Sequence, residues 1–222
     1  MAAVNAEREG GGDGVLKDVA KRESGQEKFR IIAVTDRRLA AGDYFERIER
    51  IVASGADAVI VREKDLPEGE YRSLARRVME ICGDAGADCI LHTFAETAAE
   101  LGCRKIHLPL PLLRKLRGCG VLGSFQEIGV SVHSLEEAKE AEKSGASYVT
   151  AGHIFVTDCK KGAAPRGLDF LREIVEGVSV PVYGIGGISR GNVDSIRETG
   201  AAGACIMSQM MKGEFYEERN HL

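Results

Sequence analysis

The sequence lacks several patterns that would assign a chain to a class at once. Its six cysteines, at 82, 89, 103, 119, 159 and 205, form no C-x-x-C pair. They lie mostly inside or beside apolar runs, where a thiol behaves as a small hydrophobe. Free thiols in a reducing cytosol are therefore expected, not a disulfide framework. No stretch approaches the roughly 18 apolar residues that a membrane span needs, and residues 1–29 lack the apolar core of a secretory signal. A cytoplasmic protein with no membrane partner is the expectation. Long runs of like charge are absent and the net charge is −4, so there is no electrostatic footprint for nucleic acid. The histidines show no H-x-x-x-H or other ligand spacing, which argues against a zinc site, and no serine nucleophile elbow is expected.

What is present is an alternation. The chain has 222 residues, 44% hydrophobic and 29% charged, enough to bury one sizeable core. Residues 1–28, rich in glycine and charge, read as a flexible N-terminal extension with one short helix at 15–21. From residue 29 to 222 short apolar runs alternate with stretches of helical spacing. Strands are expected at 30–35, 58–61, 88–91, 105–108, 128–132, 148–151, 180–185 and 202–207. Helices are expected at 43–54, closed by Gly55, at 67–84, opened by Pro67, and at 95–101, 111–116, 135–143, 167–176, 190–199 and 208–219. Parallel neighbours joined by right-handed crossovers need their helices outside, so eight such units predict a single-domain (β/α)₈ TIM barrel. An open doubly wound sheet is the rival, but Gly184-Ile185-Gly186-Gly187 falls at the seventh strand, whereas a dinucleotide fingerprint belongs at the first βα turn.

Polar residues gather at the carboxyl ends of these strands, where barrels bind ligands. Gly186 and Gly187 follow strand seven; Met207 ends strand eight and Ser208 follows it at a helix start. In barrels this is a frequent phosphate site, because glycines let backbone N–H groups approach and a helix start carries partial positive charge. The bland alternative is a glycine pair that merely makes a tight turn. Arg62 and Lys64 follow strand two, and Lys160 and Lys161 follow strand six. Each alone reads as a solvated charge; together, at the ends of different strands, they point to an anionic substrate. His133, two residues after Ser131, stands at the mouth side of strand five, where an imidazole can take or give a proton near neutral pH. His153 holds the analogous place after strand six, as an accessory acid–base or a structural residue. His107 faces either the barrel or its outer layer.

At these residues the sequence resembles the thiamine phosphate synthase superfamily, over nearly the whole chain from about residue 30 to 211. The likeness is carried by AVTDR at 33–37, VREKD at 61–65, GVSVHS at 129–134, GHIFVTDCKKG at 152–162 and the IGGI-containing run at 183–188. In the synthases, as the resemblance implies, an Asp after strand three and an Asp after strand four hold Mg²⁺ on a pyrimidine diphosphate. Here ILHTF puts Thr93 at the first position, and HLPLPLL puts Leu112 at or near the second. A leucine cannot ligate a cation that wants oxygen, and threonine supplies no charge. Likewise the synthases' Thr-x-Thr-Lys becomes Thr157-Asp158-Cys159-Lys160, which adds an anion, Asp158, beside the place where pyrophosphate would leave.

The stretch from Ser131 to Gly162 is instead similar to the thiazole tautomerase branch, including His153 where synthases commonly carry Pro. That resemblance implies a metal-independent, cofactor-free isomerisation of a carboxythiazole phosphate to its aromatic form. His133 would be the catalytic acid–base. Gly186, Gly187, Met207 and Ser208 would hold the phosphate, while Arg62, Lys64, Ser131 or Lys160 would hold the carboxylate. The expected partner is that small molecule, with a homodimer as the assembly barrels of this size often adopt. Two alternatives stand beside it: a synthase with altered metal ligands, and a non-catalytic regulatory barrel that keeps phosphate binding.

Overall fold

Strand β1 (Arg30–Val34) pairs in parallel with both β2 (Ala58–Val61) and β8 (Gly203–Ile206): Ile32 lies opposite Ala58 on one side and Cys205 on the other. Between them run β3 (Asp88–His92), β4 (Lys105–Pro109), β5 (Glu127–Val132), β6 (Tyr148–Gly152) and β7 (Val182–Ile185), each paired with the next, so the sheet closes in chain order. This computed structural model describes residues 28–160 and 162–216. The expected extension at 1–27 with its short helix, Lys161, and the tail from 217 lie outside the described residues. The fold is the (β/α)₈ barrel that the alternation predicts.

Outside the strands lie α1 (Tyr44–Ala53), α2 (Glu68–Ala85), α3 (Ala95–Glu100), α4 (Leu110–Leu116), α5 (Leu135–Lys143), α6 (Gly167–Gly177), α7 (Val193–Arg197) and α8 (Ser208–Lys212). Their local causes are ordinary. Asp43 caps α1 by accepting from the N–H groups of Phe45 (2.9 Å) and Glu46 (3.0 Å), satisfying donors that a helix start leaves free. The face Ile48, Ile51 and Val52 is then buried, each side chain contributing about 1.5–3 kcal/mol, and Gly55 ends the run at φ +95°. No helix among the described residues is long and apolar enough to cross a membrane.

Two expected helices are shorter than their apolar spacing suggests. The expected 190–199 helix begins only at Val193, because Asn192 Oδ1 accepts from the Ser189 N–H (2.8 Å) and makes a turn of 189–192. The expected 208–219 helix stops at Lys212, where Gly213 turns left-handed at φ +84°; an apolar Phe215 beyond it continues the periodicity without continuing the helix.

Side chains alternate across each strand, and this divides the core in two. One set, including Val59, Leu91, Ile106, Val130, Val149 and Ala204, packs against the helices. The other fills the barrel: Ile32, Val34, Ala58, Ile60, Ile90, Tyr148, Tyr183 and Cys205. Continuing the inward set by two residues toward the carboxyl ends reaches Arg62, His92, Thr150 and Met207. The same alternation carries β5 from Ser131 to His133. The fold thus delivers its polar groups to one mouth.

Candidate active site

That mouth is a cavity of about 500 Å³. Arg62, Lys64, Ser131, His133 and His153 all border it, as do Lys160, Gly186, Gly187, Met207 and Ser208. The described cations, the two mouth histidines, Ser131 and the turn residues expected to hold an anion are thereby brought to one place.

The nearest acids on the strand-two loop are turned away from the cations there. Glu63, between Arg62 and Lys64, points the other way and is 2% exposed. It accepts from Thr35 Oγ1 (2.7 Å) and from the Arg37 N–H (3.1 Å to each oxygen), while Thr35 Oγ1 accepts from the Arg62 N–H (2.9 Å). Asp65 is taken by the Arg37 guanidinium through two bonds of 2.8 and 2.9 Å. Arg62, Lys64 and Lys160 are left with no carboxylate partner among the described ion pairs. Burial, then the charges of Arg62 and Lys160, hold the Lys64 ammonium below the ordinary lysine range. Three cations that repel one another around a cavity favour an anion between them.

His133 is held by Glu137, one helical turn on, a residue that sequence reasoning missed. Glu137 Oε2 accepts from the His133 backbone N–H (2.6 Å) and lies 3.2 Å from its Nδ1. A carboxylate can only accept, so Nδ1 carries the proton and Nε2 is the basic nitrogen. The signal was present: Ser134 caps α5 by accepting from the Glu137 N–H (3.2 Å), and Ser-x-x-Glu is a capping box. His153 plays a different part. Its Nε2 is 3.3 Å from the Ala163 carbonyl, to which it must donate, and its own carbonyl accepts from the Arg166 N–H (2.9 Å). It ties down the loop 153–166.

The glycine pair serves that same loop. Gly186 and Gly187 have φ of +100° and +67°; a Cβ on Gly187 would stand 2.4 Å from the Val156 carbonyl oxygen, and one on Gly186 2.4 Å from His153 Cβ. Asn192 Nδ2 donates to the Gly187 carbonyl (3.0 Å) and fixes the turn. Ser208 opens α8 beside it, its Oγ 3.9 Å from Cys159 Sγ. One correction belongs here: Gly187-Ile188-Ser189-Arg190-Gly191 does have the Gly-x-Ser-x-Gly spacing of a nucleophile elbow. Among the described hydrogen bonds none joins the Ser189 hydroxyl to an imidazole, so the spacing is not matched by a base.

The cavity floor holds His92 and His107, which the sequence left unassigned. Both are buried, with rings stacked 5.7 Å apart, and burial pushes both pKa values down, His107 to about 3. Thr93, at φ +71°, sets its Oγ1 2.6 Å from His92 Nδ1, and Leu112 packs into the helix layer. Among the described residues lining the cavity Asp158 is the one carboxylate, and no three His, Cys, Asp or Glu side chains are grouped as metal ligands. Mg²⁺ on a diphosphate calls for carboxylate oxygens; this donor set does not fit it.

Comparison with known proteins adds the family. A family model described as thiamine monophosphate synthase matches residues 31–210. A thiamine-phosphate synthase of Shouchella clausii is 35% identical over 190 residues, covering 82% of this chain and 88% of that protein. One of Moorella thermoacetica is 37% identical over 172 residues, covering 75% and 80%. Among solved structures, the thiamine phosphate pyrophosphorylase from Pyrococcus furiosus superimposes with a TM-score of 0.75 at 31% identity, covering 87% of this chain and 92% of that one.

Proposed function

Because the chain belongs to the thiamine monophosphate synthase family, we propose that it acts in thiamine biosynthesis as a thiazole tautomerase, a metal-independent isomerase aromatising a carboxythiazole phosphate. The observation that carries this reading is the pairing of an oriented base with a donor set poor in carboxylates. His133 is fixed through Nδ1 by Glu137, while the ends of β3 and β4 offer imidazoles, Thr93 and Pro109 where a diphosphate-bound cation would need acids.

The reaction then needs only proton movement. His133 Nε2 removes the proton from the ring carbon bearing the carboxylate, and that electron pair enters the ring. The π pair of the exocyclic alkene takes the same proton back from His133 at the exocyclic carbon, so one imidazole serves as base and then as acid. Arg62, Lys64 and Lys160 supply the positive field for the phosphate and carboxylate. The phosphate is assigned to the Gly186–Gly187 turn, Met207 and Ser208, and the carboxylate to Ser131 and a neighbouring cation. A cytosolic location and a homodimer are retained as parts of the proposal.

A second reading has its own support. The curated relatives, at 30 to 37% identity, carry the synthase's name, and as names go they support a transferase better than an isomerase. One experiment separates the two. Chelator-treated protein is mixed with the exocyclic tautomer, and aromatisation is followed by ultraviolet absorbance. Fast conversion that His133→Ala lowers by about 10²–10⁴-fold supports the isomerase; a rate no faster than buffer removes it. Pyrimidine diphosphate and Mg²⁺ are then added with the thiazole phosphate, and coupling of the two would establish the synthase. Binding without either reaction would leave the regulatory barrel.

A further inference from the structure

Beneath the cations, hydroxyl and imidazole groups meet on the barrel axis. His107 Nδ1 is 3.1 Å from Tyr148 Oη and His107 Nε2 is 2.8 Å from Ser131 Oγ. Thr150 Oγ1 lies 3.4 Å from both Nε2 and Ser131 Oγ. The junction is a built one. Gly129 on β5 leaves the space that Tyr148 and His107 occupy: a Cβ there would stand 2.0 Å from Tyr148 Cζ and 2.5 Å from His107 Nδ1.

Counting donors settles the direction of the chain. Burial holds His107 neutral, so one ring nitrogen donates and the other accepts. Burial also raises the Tyr148 phenol well above its usual range, so it keeps its proton. Among the described hydrogen bonds the Tyr148 hydroxyl has one partner, His107 Nδ1, and a buried O–H must donate somewhere. Nδ1 therefore accepts, and Nε2–H donates to Ser131 Oγ. Thr150 donates to the same oxygen. With both acceptor positions of Ser131 taken, its own O–H is left for the cavity.

We infer that Tyr148 and His107 form a relay that fixes the Ser131 hydroxyl as a donor toward an anionic group of the substrate, making them positioning residues for carboxylate recognition. The inference rests on the proposed function for the identity of that anion as a ring carboxylate. Were the relay reversed, Ser131 would present a lone pair and repel the same group.

Two measurements test it. In the intact protein with ¹⁵N-labelled histidine, the His107 signals, assigned by their loss in His107→Gln, should show the Nε2–H tautomer; an Nδ1–H tautomer overturns the relay. Calorimetric titration then compares thiazole phosphate with and without the carboxylate. Tyr148→Phe should reduce the preference for the carboxylated ligand by about tenfold, the worth of one hydrogen bond to a charged group, while affinity for the other ligand is kept. An unchanged preference overturns the inference. Turnover by the unmodified protein is read separately: without turnover, but with the tautomer and the lost preference observed, the proposed reaction falls and the relay stands.

Discussion

His92 and His107 share one electrostatic problem and a consequence for pH. Burial is the first cause of the lowered pKa in each; the partner imidazole is second for His92, and Lys64 is second for His107. An unfolded chain would bind a proton at each near the ordinary 6.5, while the folded protein refuses it down to about 3 at His107. Across that window the unfolded state holds more protons, so stability is fully present above about pH 6.5 and is lost as pH falls toward the folded value, by at most about 1.4 kcal/mol per pH unit for each group. The lowered carboxylates Asp36, Asp65 and Asp88 act only below their ordinary 3.8. Urea unfolding midpoints should therefore fall between about pH 7.5 and pH 5.5, and fall less in His107→Gln; equal losses would show that His107 is not held neutral by the fold. Ser131 and His133 were legible because they stand at a strand end in the period that faces inward. His107 was not, since in Lys105-Ile106-His107-Leu108 the apolar neighbours do not say which face meets the helices.

At the scale of elements, strand and helix positions followed from periodicity, and the departures came from single residues that override it, Asn192 at one helix start and Gly213 at one helix end. The loop 153–166 was legible only as polar. Its shape depends on a contact far along the chain, where Gly186 and Gly187 let β7 approach His153, Phe155 and Val156. That loop carries Lys160 and places it at the cavity with Ser208. Gly187→Ala puts a methyl group 2.4 Å from the Val156 oxygen and 2.7 Å from the Phe155 oxygen, at a φ that alanine resists. The loop must shift, and a displacement of about 1 Å at a site of this kind costs on the order of 10²-fold in rate. Steady-state kinetics of the variant should show kcat/KM lowered by that order with the fold retained; an unchanged value would exclude the loop from catalysis.

At the scale of the molecule, the two ends of the barrel use the same charged residue types in opposite ways. At the amino-terminal end Asp88 bonds both Arg30 (2.8 Å) and Lys105 (2.7 Å), Lys105 also reaches Glu127 (3.1 Å), and Lys28 pairs with Asp57 (2.6 Å). These pairs link the amino-terminal ends of β1, β3, β4 and β5, the Arg30–Asp88 pair reaching across β2, and each cation has an acid. At the carboxyl-terminal end Arg62, Lys64 and Lys160 have none among the described ion pairs, so a chain of net charge −4 still presents a positive mouth. Such a division assigns stability to one end and chemistry to the other. Asp88→Asn should therefore lower stability by about 1 kcal/mol or less, because the pairs are partly exposed, and the melting temperature by no more than about 2–4 °C. Its kcat/KM should match that of the unmodified protein, because the strands between the two ends are packed with Ile32, Ile60, Ile90 and Tyr148. A loss of kcat/KM larger than the loss of folded protein would mean that this packed layer transmits the charge network to the mouth, and the relay through Tyr148 is the element in place to do so.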